Sequence, residues 1–194
     1  MTLPYFDLSG RIAIVSGGAS GIGLAISEAY AEAGATVVIC SRRLEICVDM
    51  AASLTARTGA EVVGMRCDVT ASDSIDKMLK ELVAKDGGID VLVNCAGVAG
   101  SEKPALKMEI DDWNSVIDIN LTGAFKLTKA VGAGMVKRGK GGRVVNVASI
   151  GGAIGLPNMS AYCASKGGLV QMTKVLALEW ARHDILVNAI LPGY

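Results

Sequence analysis

RIAIVSGGASGIG, residues 11–23, is the stretch on which the fold turns. A short β-branched run (11–16) enters a turn with glycines at 17, 18, 21 and 23, and an apolar-periodic segment follows at once. In that segment Ile22, Ile26, Ala29 and Ala33 recur at helical spacing and form one stripe. Strand, glycine turn and helix in direct succession bring backbone N–H groups and a helix N-terminus up to a phosphate. Gly17, Gly21 and Gly23 let the backbone approach a pyrophosphate and let the helix pack closely on the strand, with Ser20 and Ile22 beside them as further candidate cofactor contacts.

The same alternation runs through the chain. TVVIC (36–40), EVVGMRC (61–67), IDVLVN (89–94), RVVNVA (143–148) and ILVNAIL (185–191) read as buried strands. Helical stretches lie near 21–33, 43–57, 71–85, 108–136 and 160–183, the first ending at Gly34. Strict alternation with continuous apolar strands predicts an α/β fold, a doubly wound parallel sheet covered by helices on both faces, with ligands at the C-terminal ends of the strands. With no internal repeat, low-complexity segment or linker, residues 1–194 read as a single domain.

Composition narrows the partners. Lys plus Arg (19) equals Asp plus Glu (19), so no excess positive field recruits nucleic acid or an anionic membrane. The basic run Lys137, Arg138, Lys140, Arg143 reads as solvated charge at a helix C-terminus. No run approaches the roughly 18 apolar residues of a membrane span, and MTLPYFDLSGR lacks a signal-peptide pattern, so the expected location is cytoplasmic. Five cysteines without a C-x-x-C pair argue against a disulfide framework or a zinc site; Cys40, Cys67 and Cys95 read as buried free thiols. His183, the only histidine, reads as a helix-end residue, and no metal is expected.

Candidate chemistry gathers elsewhere. In SAYCASKGG (160–168), Tyr162 and Lys166 stand four apart and so lie one helical turn from each other. A phenol is a poor base at neutral pH. An ammonium about 4 Å away, at an effective dielectric near 20, supplies on the order of 4 kcal/mol toward its ionised form. Asn120 shares an apolar helix face with Trp113, Val116, Ile117, Leu121 and Ala124 and is therefore either braced in the core or working. Leu169, Met172, Leu176 and Trp180 read as the core anchor of the Tyr162 helix.

The spacing G-x-x-x-G-x-G at Gly17, Gly21 and Gly23 resembles the short-chain dehydrogenase/reductase pattern T-G-x-x-x-G-x-G, with Ser16 for the threonine. Further motifs of that family follow in order. Cys67–Asp68–Val69 matches its adenine-contacting D-V, and Asn94–Cys95–Ala96–Gly97 resembles its N-N-A-G, with Cys95 replacing the second asparagine. Asn120–Leu121–Thr122–Gly123 matches N-x-T-G, and Ser149 in NVASIGG precedes Tyr162 by thirteen positions. Asn120, Ser149, Tyr162 and Lys166 thus match the family's catalytic tetrad in type, order and spacing.

The resemblance implies an oxidoreductase transferring a hydride between a nicotinamide and a carbonyl or secondary alcohol, similar to 3-oxoacyl carrier-protein reductases. Tyr162 would be the acid or base, Lys166 would activate it and hold the nicotinamide ribose, and Ser149 would be a second donor to the substrate oxygen. Asn120 would hold a water linking Lys166 to solvent. Strand two ends in Ser41, Arg42 and Arg43 where an NAD-binding fold carries an acid, so NADP(H) is expected, the arginines pairing with a 2′-phosphate. The other reading is two solvated arginines on a loop. Pro192–Gly193 would touch the nicotinamide carboxamide. The family pattern continues past ILPGY (190–194) for roughly fifty residues, bringing a pyrophosphate-binding threonine, a lid and a seventh strand. The expectation is therefore six visible strands, the seventh missing, strand 185–191 an apolar edge, and a homo-oligomer through helices 108–136 and 160–183. A chain ending there is expected to be less stable, to bind NADPH weakly and to turn over slowly. A non-catalytic nucleotide-binding or assembly module on the same fold is the alternative.

Overall fold

β1 (Ile12–Ser16) lies at the centre of a six-stranded parallel sheet, and its Ala13, Ile14 and Val15 are fully buried. The computed structural model describes residues 6–86 and 88–193; the first five residues of MTLPYFDLSGR and Tyr194 lie outside the described residues. The other strands are β2 (Thr36–Ser41), β3 (Val62–Arg66), β4 (Val91–Asn94), β5 (Gly142–Val147) and β6 (Ile185–Ile190), in the order β3-β2-β1-β4-β5-β6. The helices are α1 (Gly21–Glu32), α2 (Leu44–Thr58), α3 (Ser72–Asp86), α4 (Ile110–Ile117), α5 (Ala124–Arg138) and α6 (Ser160–Trp180). Strand order reverses between β1 and β4, which opens a crevice at their C-terminal ends.

Buried strands build a core on each face. Ile14, Val38, Leu92 and Val144 pack with Ile75, Leu127 and Leu176 on one side, while Ala13, Val15, Val37 and Ile39 pack with Ala31, Cys47 and Leu54 on the other. β6, expected to be buried throughout, alternates: Ile185 and Val187 are buried on the face that α6 covers, and Leu186 and Ile190 are exposed. No described helix is long and apolar enough to cross a membrane.

Packing adds to the sequence reading. α1 buries Gly23, Ser27 and Ala31 against the sheet, while in the Ile22–Ala33 stripe Ile26 is partly buried against the same core and Ile22 is 47% exposed. Small residues on that face let the helix approach the strand closely; a Cβ at Gly23 would lie 2.3 Å from the Gly17 carbonyl oxygen. The stretch 108–136 is helical without a break from Ile110 to Arg138, with a π turn (Asp118–Gly123) joining α4 to α5. Arg138 is not solvated: it donates to the Ile89 carbonyl at 2.8 Å and pairs with Asp90 at 2.9 Å.

Asp90 also accepts the Ile12 N–H at 3.0 Å, tying β1, the start of β4 and the end of α5 together. Removing its carboxylate leaves a mostly buried guanidinium and an N–H without their partner. Asp90→Ala is therefore expected to lower unfolding free energy by about 3 kcal/mol, read from the urea midpoint.

Candidate active site

The turn after β1 forms a cradle at the crevice. Gly17 adopts φ +72°, and a side chain there would press within 2.9 Å of the Ala96 nitrogen. Ser16 Oγ accepts the N–H groups of Cys95 (3.2 Å) and Ala96 (3.3 Å) and donates to the Val93 carbonyl, joining the β1 turn to the loop after β4. Ser20 is the N-cap of α1, and its side chain caps nothing, so the hydroxyl and the helix N-terminus stay available to a ligand.

From this cradle a cleft of about 500 Å³ extends over the ends of β2 and β3. Gly17, Ser20, Ser41, Arg42, Arg43, Cys67, Asp68, Val69, Ala96 and Gly97 line it, as the sequence led us to expect; Ala19, Cys40, Val98 and Ile119 are additions. Arg42 and Arg43 are exposed at its rim, on the turn that starts α2. Asp68 accepts both the N–H and the hydroxyl of Thr70, which holds its carboxyl below the usual carboxylate range.

A second cleft of about 310 Å³ opens from the same turn toward α6 and is lined by Gly17, Ser20, Ile22, Cys95, Ala96, Gly97, Val147, Tyr162 and Lys166. Lys166 is 6% exposed, its Nζ donates to the Val147 carbonyl at 2.8 Å and stands 5.8 Å from the Tyr162 ring centroid. Burial pushes the lysine down from its ordinary 10.5, with Cys95 acting in the other direction. One of three ammonium donors is used, which leaves two for a ligand. Ser149 Oγ accepts the Gly151 N–H at 3.1 Å, so its own proton is free to donate. Gly151 faces the Tyr162 ring, where a Cβ would sit 3.4 Å from Cε1.

Asn120 sits in the π turn, 1% exposed. Its Oδ1 accepts the Val98 N–H (2.8 Å), and its Nδ2 donates to the Val98 carbonyl (2.9 Å) and to Ser165 Oγ (3.1 Å). The amide is therefore fully braced and fixes the loop after β4 against α6. Gly97 keeps the adjoining space open, since a Cβ there would lie 3.2 Å from Asn120 Oδ1 and 3.5 Å from Lys166 Nζ.

The model of the short-chain dehydrogenases matches residues 11–194. This chain belongs to the short-chain dehydrogenase/reductase family. It is 43% identical over 187 residues to a D-threitol dehydrogenase of Mycolicibacterium smegmatis, covering 96% of this chain and 71% of that one. It is 37% identical to a 3-oxoacyl-[acyl-carrier-protein] reductase of Synechocystis sp., covering 96% and 75%. The solved structure of an NAD+-bound xylitol dehydrogenase superposes with a TM-score of 0.92 at 38% identity, covering 96% of this chain and 71% of that one. As a family member it is an oxidoreductase of the dehydrogenase/reductase type, in a family that binds nicotinamide cofactors.

In this short-chain dehydrogenase/reductase some predicted contacts point elsewhere. Asn94 does not line either cleft: its Nδ2 donates to Thr128 Oγ1 (2.7 Å) and Asn146 Oδ1 (2.8 Å) in the core. Asn146 in turn donates to Thr173 Oγ1 at 2.8 Å, so a buried polar ladder links β4, β5 and α6 beneath the site. Sequence reading missed that ladder, although an asparagine inside RVVNVA was its signal. Cys95 is half-buried, packed against the core on one side and lining the cleft on the other. Gly21 and Gly23 shape α1 and do not line the clefts, and Pro192–Gly193 stands apart from them too. The Pro192 carbonyl does accept the Ile150 N–H at 2.9 Å, beside Ser149.

Proposed function

We propose that this chain is an NADP(H)-dependent oxidoreductase acting on a carbonyl or secondary alcohol, with Tyr162 as the proton donor or acceptor. The observation that carries this reading is the shared cleft: Tyr162 and Lys166 line the same opening as Gly17 and Ser20 of the glycine turn. The fit to a dinucleotide rests on a cradle that any Cβ at Gly17 would obstruct and on an uncapped helix N-terminus. Gly17 and Ser20 would hold the pyrophosphate, Asp68 and Val69 the adenine, and Lys166 the nicotinamide ribose. Bound there, a nicotinamide supplies or accepts a hydride.

In the reducing direction Tyr162 gives its phenolic proton to the substrate oxygen, and the Ser149 hydroxyl donates a second hydrogen bond to it. Lys166 offsets the negative charge left on the phenol and passes a proton toward solvent through the opening beside Gly97 and Asn120. Because Asn120 spends its side-chain amide on Val98 and Ser165, its part is to position that path. The relatives' names include polyol dehydrogenases and a 3-oxoacyl reductase, which supports a secondary alcohol or ketone as the reacting group.

Arg42 supports the cofactor preference, being the cationic rim residue at the end of β2 where a 2′-phosphate would lie. Arg42→Asp is expected to weaken NADPH binding and strengthen NADH binding, reversing a preference of about tenfold or more. Fluorescence titration of both nucleotides reads the ratio; an unchanged ratio overturns the assignment.

We also assign the protein to a reducing compartment, the cytoplasm, in keeping with its free cysteines. Self-association through α5 and α6 is supported by Phe125 (44% exposed), Val175 (45%) and Leu178 (82%) on their outer faces. Leu178→Asp is expected to convert a dimer or tetramer into smaller species by sedimentation velocity. A monomeric parent protein removes the proposal.

A further inference from the structure

Ser165 stands behind the site and lines neither cleft. It is fully buried in α6, three residues after Tyr162 and one before Lys166. Its Oγ accepts the Asn120 Nδ2–H at 3.1 Å and donates to the Tyr162 carbonyl at 2.7 Å. The direction of this chain of bonds is set at its far end. The Val98 N–H needs an acceptor and the Val98 carbonyl a donor, so Asn120 gives Oδ1 to one and Nδ2 to the other. Nδ2 can then only donate to Ser165, whose single hydroxyl proton goes to the Tyr162 carbonyl.

That carbonyl belongs to the turn that spaces phenol from ammonium. In an α-helix it also accepts the N–H four residues on, that of Lys166, so the Ser165 hydroxyl holds the peptide group that the two side chains share. At the other end of the chain stands Val98, which lines both clefts. Lys166 has a separate tie, its ammonium reaching the Val147 carbonyl at the end of β5. The Tyr162 turn is tied to the loop after β4 through Ser165.

We propose that Ser165 is a positioning residue for proton transfer: one buried hydroxyl locks the Tyr162–Lys166 turn to Asn120 and so to the loop that walls the cofactor cleft. The inference rests on the reading of Tyr162 as the proton donor or acceptor. Ser165 touches neither substrate nor cofactor. Without its hydroxyl one interior Asn120 N–H loses its acceptor, and the turn is free to shift against the loop. Misplacing reacting groups by about 1 Å costs up to about a hundredfold in rate.

The same helix carries a matched control. Thr173, eight residues on, is also buried; its Oγ1 accepts the Asn146 Nδ2–H at 2.8 Å and donates to the Leu169 carbonyl at 2.8 Å. Asparagine amide, hydroxyl and helix carbonyl repeat there in the same order, away from Tyr162 and from both clefts.

The test compares Ser165→Ala with Thr173→Val in urea unfolding, NADPH titration and steady-state reduction of a carbonyl that the parent protein turns over. Both are expected to lower the urea midpoint. Only Ser165→Ala should lower kcat, by about tenfold or more, with carbonyl KM and NADPH affinity within about threefold of the parent. Thr173→Val should keep kcat within about twofold. Ser165→Cys, with a weaker donor of similar size, should fall between parent and Ser165→Ala, and it takes the place of Ser165→Ala if that variant does not fold. In Asn120→Ala/Ser165→Ala the loss of kcat should exceed that of Asn120→Ala alone by no more than about twofold, since both break one chain of bonds. A parental kcat in Ser165→Ala, an equal loss in Thr173→Val, or losses that multiply in the double variant overturn the proposal. A parent protein that turns over no carbonyl overturns the hydride-transfer reading and this role with it, a failure visible before any substitution is made.

Discussion

Tyr162→Phe is expected to cut the rate of carbonyl reduction by about a thousandfold while NADPH affinity stays within about twofold of the parent. The substitution removes the phenolic hydroxyl and keeps the ring, which lies beside Gly151 and within the cleft shared with the glycine turn. Shape and cofactor contacts are retained, and only the donor to the substrate oxygen is lost. The split between kcat and nucleotide affinity is what separates an acid from a packing residue. A variant that keeps a substantial rate with an unshifted pH profile removes Tyr162 from the chemistry.

Lys166→Ala is expected to damage both quantities, lowering the rate by about a hundredfold or more and weakening NADPH binding by about tenfold. Its ammonium serves two partners in the reading above, the phenol and the nicotinamide ribose, so a single deletion reaches both. The alkaline side gives a further signature. Burial disfavours the charged form and draws this lysine below its ordinary 10.5, so the ammonium is present at low pH and is lost as pH rises through that lowered value. The parent's advantage in NADPH affinity over Lys166→Ala should therefore be greatest at low pH and shrink as pH rises, before an exposed lysine would titrate. An advantage that stays constant up to pH 10.5 contradicts the role given to the ammonium.

Much of this architecture is legible in the residues because its strands are buried on both faces. Ala13, Ile14 and Val15 are all apolar in sequence and all fully buried in the sheet, so the run announces a central parallel strand without alternation. The glycine turn is legible for a related reason: Gly17 and Gly23 stand where backbone meets backbone, and no other residue fits. Directions of side chains are harder to read. In α1 helical spacing marks an apolar stripe but does not show that the residues fully buried on the sheet are the small ones, Gly23, Ser27 and Ala31, which fit because the turn brings helix and strand so close.

The site shows the same division. Tyr162 and Lys166 are fixed by helical spacing and do share a cleft, while Ser149 stands two residues past β5, as its position in NVASIGG implies, and lines neither cleft. The motif says where Asn94 stands and not which way its amide turns; it turns inward to Thr128 and Asn146. The family pattern gives Asn120 a water to hold, whereas its amide is spent on Val98 and Ser165, contacts 22 and 45 residues away that no local pattern encodes. The π turn that carries it was invisible for the same reason. Arg138 belonged to a basic run in sequence and to Asp90 in space.

The central claim is that this cleft performs hydride transfer and is not a nucleotide-binding module alone. The direct measurement follows NADPH absorbance and product formation together, offering the purified protein a panel of 3-oxoacyl thioesters, small ketones and the matching alcohols with NADP+. The account predicts nucleotide oxidation matched one for one by alcohol formed with at least one carbonyl, faster with NADPH than with NADH, and abolished in Tyr162→Phe. Nucleotide that binds tightly in the cleft yet is neither oxidised nor reduced with any member of the panel would contradict it.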